Sequence, residues 1–169
     1  MKYLVTGATG FLGGSISRKL ARDGAEVVAS GRNPRLLEEL VADGLPTLAL
    51  DLATEPLAPH CAGFDVIIHC AALSAPWGPA AAFEAANVAG TENVLDAATR
   101  EGVTRVVHIS TPSIYPHGRD RLGVCEDAQL PATFINTYTR TKFQAEELVR
   151  SADVDSVILR PRALFGPRD

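Results

Sequence analysis

The chain has 169 residues, of which 46% are hydrophobic and 21% are charged, and its formal net charge is −4. This length suits one domain with an ordinary globular core, and the acidic balance gives no basic footprint for nucleic acid. No apolar run reaches the roughly 18–20 residues of a membrane span, and "MKYLVTGATG" at the N-terminus is too short for a signal-peptide core, which together favour a cytoplasmic protein.

Short apolar runs alternate with longer helical patterns. The runs that predict strands are 2–6, 26–30, 46–51, 65–70, 105–110 and 156–161. The patterns that predict helices are 11–24, 34–44, 79–102 and 136–152, with a Pro- and Gly-rich loop over roughly 111–134. This alternation predicts one α/β domain over 1–169, a doubly wound parallel sheet with right-handed crossovers. Ligands of such sheets bind beyond the carboxyl ends of the strands, where the strand order reverses.

The cysteines and histidines do not follow the spacing of a metal site. Cys61, Cys70 and Cys125 are odd in number and contain no CxxC pair, so free thiols in a reducing compartment are the better interpretation. No HxH or HExxH spacing occurs among the four histidines, which are His60, His69, His108 and His117. We therefore predict neither a metal site nor a disulfide framework.

Between the first strand and the first helix, "VTGATGFLGG" contains Gly7, Gly10 and Gly13 at GxxGxxG spacing. Glycine permits a tight turn and lets a pyrophosphate approach the backbone, and the helix N-terminus then offers free N–H groups. The spacing differs from the commoner GxGxxG, and a glycine-rich turn without a ligand is the alternative. Because the loop leaves a strand and enters a helix, we predict a phosphate-binding site.

The end of the second strand, "VVASGRNPR", bears on the choice of nicotinamide cofactor. An acidic residue at this place would bind the adenosine ribose of NAD, whereas Ser30 and Gly31 stand here and Arg32 follows. A guanidinium can hold a 2′-phosphate, so we predict NADP(H) over NAD(H), with Arg32 as the main contact and Arg35 as a possible second. A merely solvated Arg32 is the alternative. Asp51 could accept from the adenine amino group, cap the following turn, or do both.

Residues 136–142, "NTYTRTK", place Tyr138 and Lys142 at i and i+4 on one helix face. A cation beside a phenol favours the phenolate, which can then take a proton from a substrate hydroxyl while hydride leaves the adjacent carbon. An ordinary surface pair is the alternative. The fifth strand ends in "HISTPSIY", which offers a hydroxyl to orient the substrate oxygen from Ser110, Thr111 or Ser113.

Six segments occur in an order that resembles the extended short-chain dehydrogenase/reductase family over essentially the whole chain. They are "TGATGFLGG", "HCAA", "NVAGTENVLDAA", "STPSIY", "YTRTK" and "LRPRALFGP". Within the family, "AALSAPWGP" and "STPSIY" look most like the 3β-hydroxysteroid dehydrogenase-like branch. The resemblance implies a Rossmann fold and the interconversion of a secondary alcohol and a ketone.

The resemblance also implies roles for particular residues. Tyr138 would be the acid/base, Lys142 its partner and Thr111 the orienting hydroxyl, although Pro112 departs from the pattern and leaves Ser113 open. Asn87 matches a helix asparagine that ties the central strands together. The cofactor-binding set would be Gly7, Thr9, Gly10, Phe11, Leu12, Gly13, Arg32, Asp51, Leu52, Ala71, Ala72, Tyr138 and Lys142.

Family members usually continue well past "LRPRALFGP", so the chain is expected to lack most of the substrate-binding part and to bind cofactor better than it turns over substrate. By the same likeness, a homodimer would form through helices 79–102 and 136–152. The leading function is an NADP(H)-dependent oxidoreductase, with NAD as a possible cofactor. The alternatives are a nucleotide-sugar epimerase or dehydratase and a non-enzymatic NADP-binding protein. The absence of a carboxylate in "TPS" speaks against a dehydratase.

Overall fold

In the described part of the chain, six strands form one sheet in the order β3-β2-β1-β4-β5-β6. The computed structural model describes residues 1–115 and 122–167. The strands are β1 (Lys2–Thr6), β2 (Glu26–Gly31), β3 (Thr47–Ala49), β4 (Val66–His69), β5 (Arg105–Ile109) and β6 (Asp155–Leu159). Every neighbouring pair is parallel, which confirms the predicted doubly wound sheet. The strand order reverses between β1 and β4.

Helices make the connections between the strands. They are α1 (Phe11–Arg22), α2 (Pro34–Ala42), α3 (Ala80–Phe83), α4 (Gly90–Arg100) and α5 (Thr137–Ser151). A π-helical turn, Glu84–Ala89, joins α3 to α4, so residues 80–100 form one unbroken helical stretch between β4 and β5. Among the described residues no helix is long and apolar enough to cross a membrane.

The predicted elements are confirmed, with most ends shifted by one or two residues. The strand predicted over 46–51 is shorter than expected, because Asp51 already begins a turn in which its carbonyl accepts from the N–H groups of Thr54 and Glu55. No local pattern in the sequence predicts the π-helical turn. His117 and the segment "GRDR" lie in 116–121, outside the described residues.

Side chains of the central strands alternate between two apolar clusters, one on each face of the sheet. Leu4 and Val5 are adjacent in β1 and both are 0% exposed, yet they belong to different clusters. All four residues of β4 are buried, as the continuous apolar run predicted. The central strands are therefore covered on both faces, whereas one face of β6 is exposed at Val157 and Leu159.

The face of α1 that packs most closely on the sheet consists of small residues. Gly13, Gly14 and Ser17 are its buried positions, and a Cβ on Gly14 would lie 2.9 Å from the carbonyl oxygen of Ala8. The apolar residues of α1, Phe11, Leu12, Ile16 and Leu20, are all only partly buried, and of these Ile16 and Leu20 pack against the core cluster. The hydrophobic pattern missed the face of small residues because glycine packs by its lack of a side chain.

A buried ion pair joins α5 to the segment after β6. Arg160 donates from Nε and Nη2 to the two carboxylate oxygens of Glu146 at 2.8 and 2.6 Å. Arg150 donates to the same carboxylate at 2.5 Å, and Arg160 donates to the hydroxyl of Tyr115 at 2.5 Å. Burial favours the protonated carboxyl, but the hydrogen bonds from Arg160, Ser110 and Arg150, together with the charge of Arg160, outweigh it and hold the pKa of Glu146 below its ordinary value.

Candidate active site

Two clefts meet at the carboxyl edge of the sheet. The glycine-loop cleft has a volume of about 260 Å³ and lies where β1, β2 and β4 end; its lining includes Gly7, Gly10, Arg32, Asp51 and Ala71. The tyrosine cleft has a volume of about 1060 Å³ and lies beyond β5; its lining includes Leu12, Thr111, Ser113, Tyr138 and Lys142. Cys70 and Ala72 line both clefts, so the two form one continuous depression across the point where the strand order reverses.

The glycine loop packs so closely on neighbouring backbone that its glycines have no room for a Cβ. Gly7 has φ of +67°, and a Cβ there would lie 2.6 Å from the backbone nitrogen of Ala71. A Cβ on Gly13 would lie 2.5 Å from the carbonyl oxygen of Gly7. Gly10 begins α1 without a side-chain cap, so the first N–H groups of α1 lack a side-chain acceptor at this end. The loop therefore fits a pyrophosphate held against the backbone.

At the other end of the glycine-loop cleft, Arg32 faces Asp51. Arg32 Nη1 lies 3.8 Å from Asp51 Oδ2, and the arginine side chain is 65% exposed. Asp51 Oδ1 accepts from the backbone N–H of Ala53 at 3.1 Å, so the predicted cap is present and one carboxylate oxygen faces the arginine. Thr9 covers Gly31 closely enough that a Cβ on Gly31 would lie 2.6 Å from Thr9 Cγ2.

The first turn of α5 carries Tyr138. The cap is Asn136, whose side chain accepts from the N–H of Thr139 at 2.9 Å, while Thr139 Oγ1 lies 3.5 Å from the N–H of Asn136. Thr141 Oγ1 lies 3.0 Å from the carbonyl oxygen of Tyr138 and so contacts the same turn. Side-chain hydrogen bonds before and after Tyr138 therefore fix the helical turn that carries it. Tyr138 lies one turn before Lys142.

Lys142 is buried at 2% exposure, and its ammonium is held by the end of β5. Nζ donates to the carbonyl oxygen of Ile109 at 2.7 Å and lies 3.3 Å from Nε2 of His108. Burial lowers the pKa of Lys142 to about 8, although Glu146 opposes the shift. The lysine can therefore lose its proton close to neutral pH far more readily than an exposed lysine.

Among the candidate hydroxyls, Thr111 and Ser113 line the tyrosine cleft together with Ser110. Thr111 Oγ1 accepts from the N–H of Ser113 at 3.2 Å and caps the 3₁₀ turn Pro112–Ile114. This bond leaves the hydroxyl proton of Thr111 available to a substrate oxygen. Pro112 takes the first position of that turn, where a missing N–H costs nothing, so the departure from the family pattern does not disturb the backbone.

Asn87 lies in the π-helical turn and joins the segment after β4 to α5. Its Oδ1 accepts from the N–H of Leu73 at 2.6 Å, and its Nδ2 donates to the carbonyl of Leu73 at 3.2 Å and to Thr141 at 3.0 Å. The expectation that Asn87 ties strands to one another is therefore wrong. It holds the chain beyond Ala71 and Ala72 against the helix that carries Tyr138.

A pair of buried histidines lies beneath the site, and the spacing analysis missed it. His69 ends β4 and His108 stands opposite it in β5, with ring centroids 5.3 Å apart. Both are at most 1% exposed, and burial, together with the Lys142 charge, lowers the pKa of His69 to about 3 and that of His108 further. A signal was present: aligning "IIHC" with "VVHIS" as adjacent parallel strands places the two histidines side by side.

Most of the predicted site residues come together in the two clefts. The glycine-loop cleft contains Gly7, Thr9, Gly10, Arg32, Asp51, Leu52, Ala71 and Ala72. The tyrosine cleft contains Leu12, Ala72, Thr111, Tyr138 and Lys142. Phe11 and Gly13 line neither cleft, and Arg35 is exposed outside both. Among the described residues no cluster of His, Cys, Asp and Glu could hold a metal ion, and the three thiols are free.

The sheet order, the glycine loop at the reversal point and the open start of α1 define a dinucleotide-binding protein of the Rossmann class. Residues 3–169 match the model of the NAD dependent epimerase/dehydratase family. The chain belongs to that family, and its relatives place it among the extended short-chain dehydrogenases/reductases, as the ordered motifs implied.

Three curated relatives align along essentially the whole chain. One is 4-hydroxy-2-methyl-3-oxo-4-farnesyl-3,4-dihydroquinoline-1-oxide ketoreductase of Stigmatella aurantiaca, 38% identical over 100% of this chain and 52% of the relative. Another is 2-alkyl-3-oxoalkanoate reductase of Stenotrophomonas maltophilia, 36% identical over 100% of this chain and 52% of the relative. The third is 3 beta-hydroxysteroid dehydrogenase/Delta 5-->4-isomerase of Mycobacterium tuberculosis, 33% identical over 99% of this chain and 48% of the relative.

Solved structures show the same architecture. UDP-glucuronic acid 4-epimerase from Bacillus cereus, in complex with NAD, superposes with a TM-score of 0.85 at 28% identity over 100% of this chain and 59% of that one. MoeE5 in complex with UDP-glucose and NAD gives 0.81 at 30% identity over 95% of this chain and 54% of that one. The chain thus spans about half the length of the curated relatives it matches.

Proposed function

We propose that this chain is the cofactor-binding part of an NADP(H)-dependent oxidoreductase that interconverts a secondary alcohol and a ketone. The observation that carries the proposal is the continuity of the two clefts through Cys70 and Ala72. A dinucleotide whose pyrophosphate lies on the glycine loop extends through this junction toward Tyr138 and Lys142. The bound nicotinamide would supply the hydride, and the residues of the chain would bind, orient and move the proton.

The three polar groups of the tyrosine cleft have distinct roles in this proposal. Tyr138 transfers the proton of the substrate oxygen, since it lines the cleft one helical turn before Lys142. Thr111 donates its free hydroxyl proton to the same oxygen, and Ser113 is the second candidate for this role. Lys142 keeps its ammonium next to the tyrosine and donates to the cofactor ribose.

The preference for NADP(H) rests on Arg32. Its exposed guanidinium stands at the end of β2, where a carboxylate would repel a 2′-phosphate, and Gly31 adds no side chain there. The nearby Asp51 carboxylate keeps the guanidinium over the cleft at 3.8 Å without enclosing it. A phosphate would compete with Asp51 for the same fork of N–H groups.

The first test is a fluorescence titration of the purified chain with NADPH and NADH. We expect tighter binding of NADPH, and we expect Arg32→Ala to weaken NADPH about tenfold while leaving NADH nearly unchanged, because only the phosphate contact is lost. Arg100→Ala is the matched control, since Arg100 is equally exposed at 68% and pairs with Asp96 away from both clefts. Equal affinity of the wild-type chain for the two cofactors would contradict the NADP(H) assignment.

The tyrosine cleft suits an apolar ketone. Leu122, Val124 and Leu164 line it, and Arg162 supplies a cation to the same space. A sterol-like ketone matches the apolar wall, and a β-keto acid matches both the wall and the cation. The names of the reductase and dehydrogenase relatives support this substrate class.

A nucleotide-sugar epimerase is the second candidate, which the high structural similarity to the Bacillus cereus epimerase favours. An epimerase returns the hydride to the same substrate and gains by keeping its cofactor through the cycle. Cofactor that stays bound to the purified chain through dialysis would support the epimerase. Cofactor that exchanges freely would support the reductase.

A further inference from the structure

His108 and Lys142 form a buried contact that the proposed chemistry does not use. His108 is 0% exposed in β5, and its Nε2 lies 3.3 Å from Nζ of Lys142. Ile109, the next residue of the strand, accepts a second hydrogen bond from the same ammonium through its carbonyl oxygen at 2.7 Å. Two of the three donors of Lys142 are therefore fixed by adjacent residues of one strand.

The partners decide where the proton of His108 lies. An ammonium has donors and no acceptor, so the imidazole nitrogen that faces it must accept, and the ring proton must sit on Nδ1. That nitrogen is buried, and among the described residues it has no hydrogen-bond partner. Nδ1 of His108 therefore has a proton without an acceptor, while Nε2 presents its lone pair to the lysine.

The neighbouring histidine shows the opposite arrangement. Thr91 Oγ1 donates to the carbonyl of Asn87 at 2.7 Å, so His69 Nε2, 3.1 Å away, donates to Thr91. Nδ1 of His69 then accepts from the hydroxyl of Thr6 at 2.8 Å. Both nitrogens of His69 are satisfied within the protein, and its role is to tie β1 and β4 to the helix that follows. Of the two, only His108 lies within hydrogen-bond distance of the Lys142 ammonium.

We propose that His108 is a positioning residue for Lys142: its neutral ring, protonated on Nδ1, accepts from the ammonium and, with the carbonyl of Ile109, leaves one N–H of Lys142 to face the tyrosine cleft. The value of that orientation for the cofactor ribose and for Tyr138 rests on the proposed function. The contact itself does not. A lysine without this second anchor would rotate its ammonium among the acceptors around it.

The charges around Lys142 agree with a neutral His108. His69 from β4 and Cys70 just beyond it face the lysine together with Glu146, which lies one turn further along α5. The carboxylate of Glu146 accepts from Arg160 and Arg150, so it acts on the ammonium as a nearby charge. Burial and the lysine charge together keep the imidazole unprotonated, which preserves its acceptor.

Two substitutions of similar size separate positioning from packing. His108→Gln keeps an oxygen acceptor near the place of Nε2, and His108→Leu fills the space without one. Val106→Ala is the control, because Val106 is 0% exposed, lies on the same face of β5 two residues earlier, and has an apolar side chain that offers Lys142 no acceptor. It reports what a loss of packing in β5 does by itself.

The direct measurement uses the chain without cofactor. Long-range proton–nitrogen spectra resolve the ring tautomers of a protein with four histidines, and carbon-labelled lysine gives three resonances, for Lys2, Lys19 and Lys142. We expect His108 to carry its proton on Nδ1 at pH 7 and Lys142 to titrate near pH 8. His108→Leu should lower the pKa of Lys142 by about one unit further, since the ammonium loses an acceptor, whereas His108→Gln and Val106→Ala should leave the titration as in the wild type.

A proton on Nε2 of His108, or a Lys142 titration that is the same in the leucine variant, would overturn the proposal. An NADPH titration then shows whether the orientation matters for binding. We expect His108→Leu to weaken NADPH about three- to tenfold and His108→Gln to restore affinity to within about twofold of the wild type. If the wild-type chain binds no NADPH, the proposed function fails, while the tautomer and the lysine titration still decide the role of His108.

Discussion

Gly7 meets two requirements at one position. Its φ of +67° disfavours any residue with a side chain, and the backbone of Ala71 lies where a Cβ would be. Gly24, just after α1, has a similar φ of +84° but nothing within 4 Å of a built Cβ. The two glycines therefore separate the cost of the backbone angle from the cost of the close approach.

We expect Gly24→Ala to lower the free energy of unfolding by about 1–2 kcal/mol, the cost of a left-handed angle alone. Gly7→Ala should lower it by about 1–3 kcal/mol more, because β1 and β4 must move apart at the strand ends. Urea unfolding of both variants measures the difference. Equal losses would mean that the loop has room for a side chain and that the approach to Ala71 is not tight.

The sequence predicted the roles of residues whose partners are close to them along the chain. The glycine loop and the Tyr138–Lys142 spacing could be recognised because each depends on neighbours within one turn. His108 and Asn87 could not be assigned, since their partners lie 34 and 54 residues away along the chain. His108 has no metal-ligand spacing with the other histidines, and such spacing does not reveal a contact between a histidine and a lysine.

Between elements, the ion pair of Glu146 and Arg160 joins α5 to the residue that follows β6. Glu146 is 0% exposed and Arg160 9%, so removing one charge leaves the other buried. We expect Glu146→Gln to lower the free energy of unfolding by about 3–5 kcal/mol. Asp155→Asn is the control, because the pair of Asp155 with Arg105 is about half exposed at 54% and 52% and should cost at most about 1 kcal/mol.

Chemical denaturation at pH 7 measures both variants. Similar small losses for the two would show that water reaches Glu146 and that the ion pair is not a buried one. The carboxylate also bears on Lys142, one turn away on α5, so the same variant should lower the pKa of that lysine further.

Element types and order followed from periodicity, but the irregular turn between α3 and α4 did not. The helical pattern of 79–102 continues through Glu84–Ala89, where the backbone forms a π-helical turn with hydrogen bonds between residues five apart instead of four. That turn is compatible with the bonds that Asn87 makes on two sides, to Leu73 and to Thr141. The π-helical turn depends on packing against α5, and no local pattern in the sequence predicts it.

For the molecule as a whole, two neutral histidines in the core make stability depend on pH. The unfolded chain binds a proton at each histidine near pH 6.5, whereas folded His69 does so only near pH 3 and the pKa of His108 is also lowered. A lowered folded-state pKa means that stability is complete above pH 6.5 and is lost as the pH falls.

We expect the free energy of unfolding to fall below pH 6.5 by about 1.4 kcal/mol per pH unit for each buried histidine. Urea unfolding between pH 7 and pH 5 avoids most of the carboxylate titrations. His108→Gln should remove about half of the slope in that window, and the exposed His60→Gln should leave it unchanged. A flat profile in the wild type would show that the two rings take up protons in the folded state.

The strand order also determines when each strand meets its partner during synthesis on the ribosome. The first strand to emerge ends in the middle of the sheet, and its β4 neighbour, which pairs Tyr3 with Val66, is made about sixty residues later. Parallel neighbours cannot close by a hairpin, so one edge of β1 stays without its partner throughout that interval. Synthesis thus passes through a stage with an open apolar edge, at which a nascent-chain chaperone would bind.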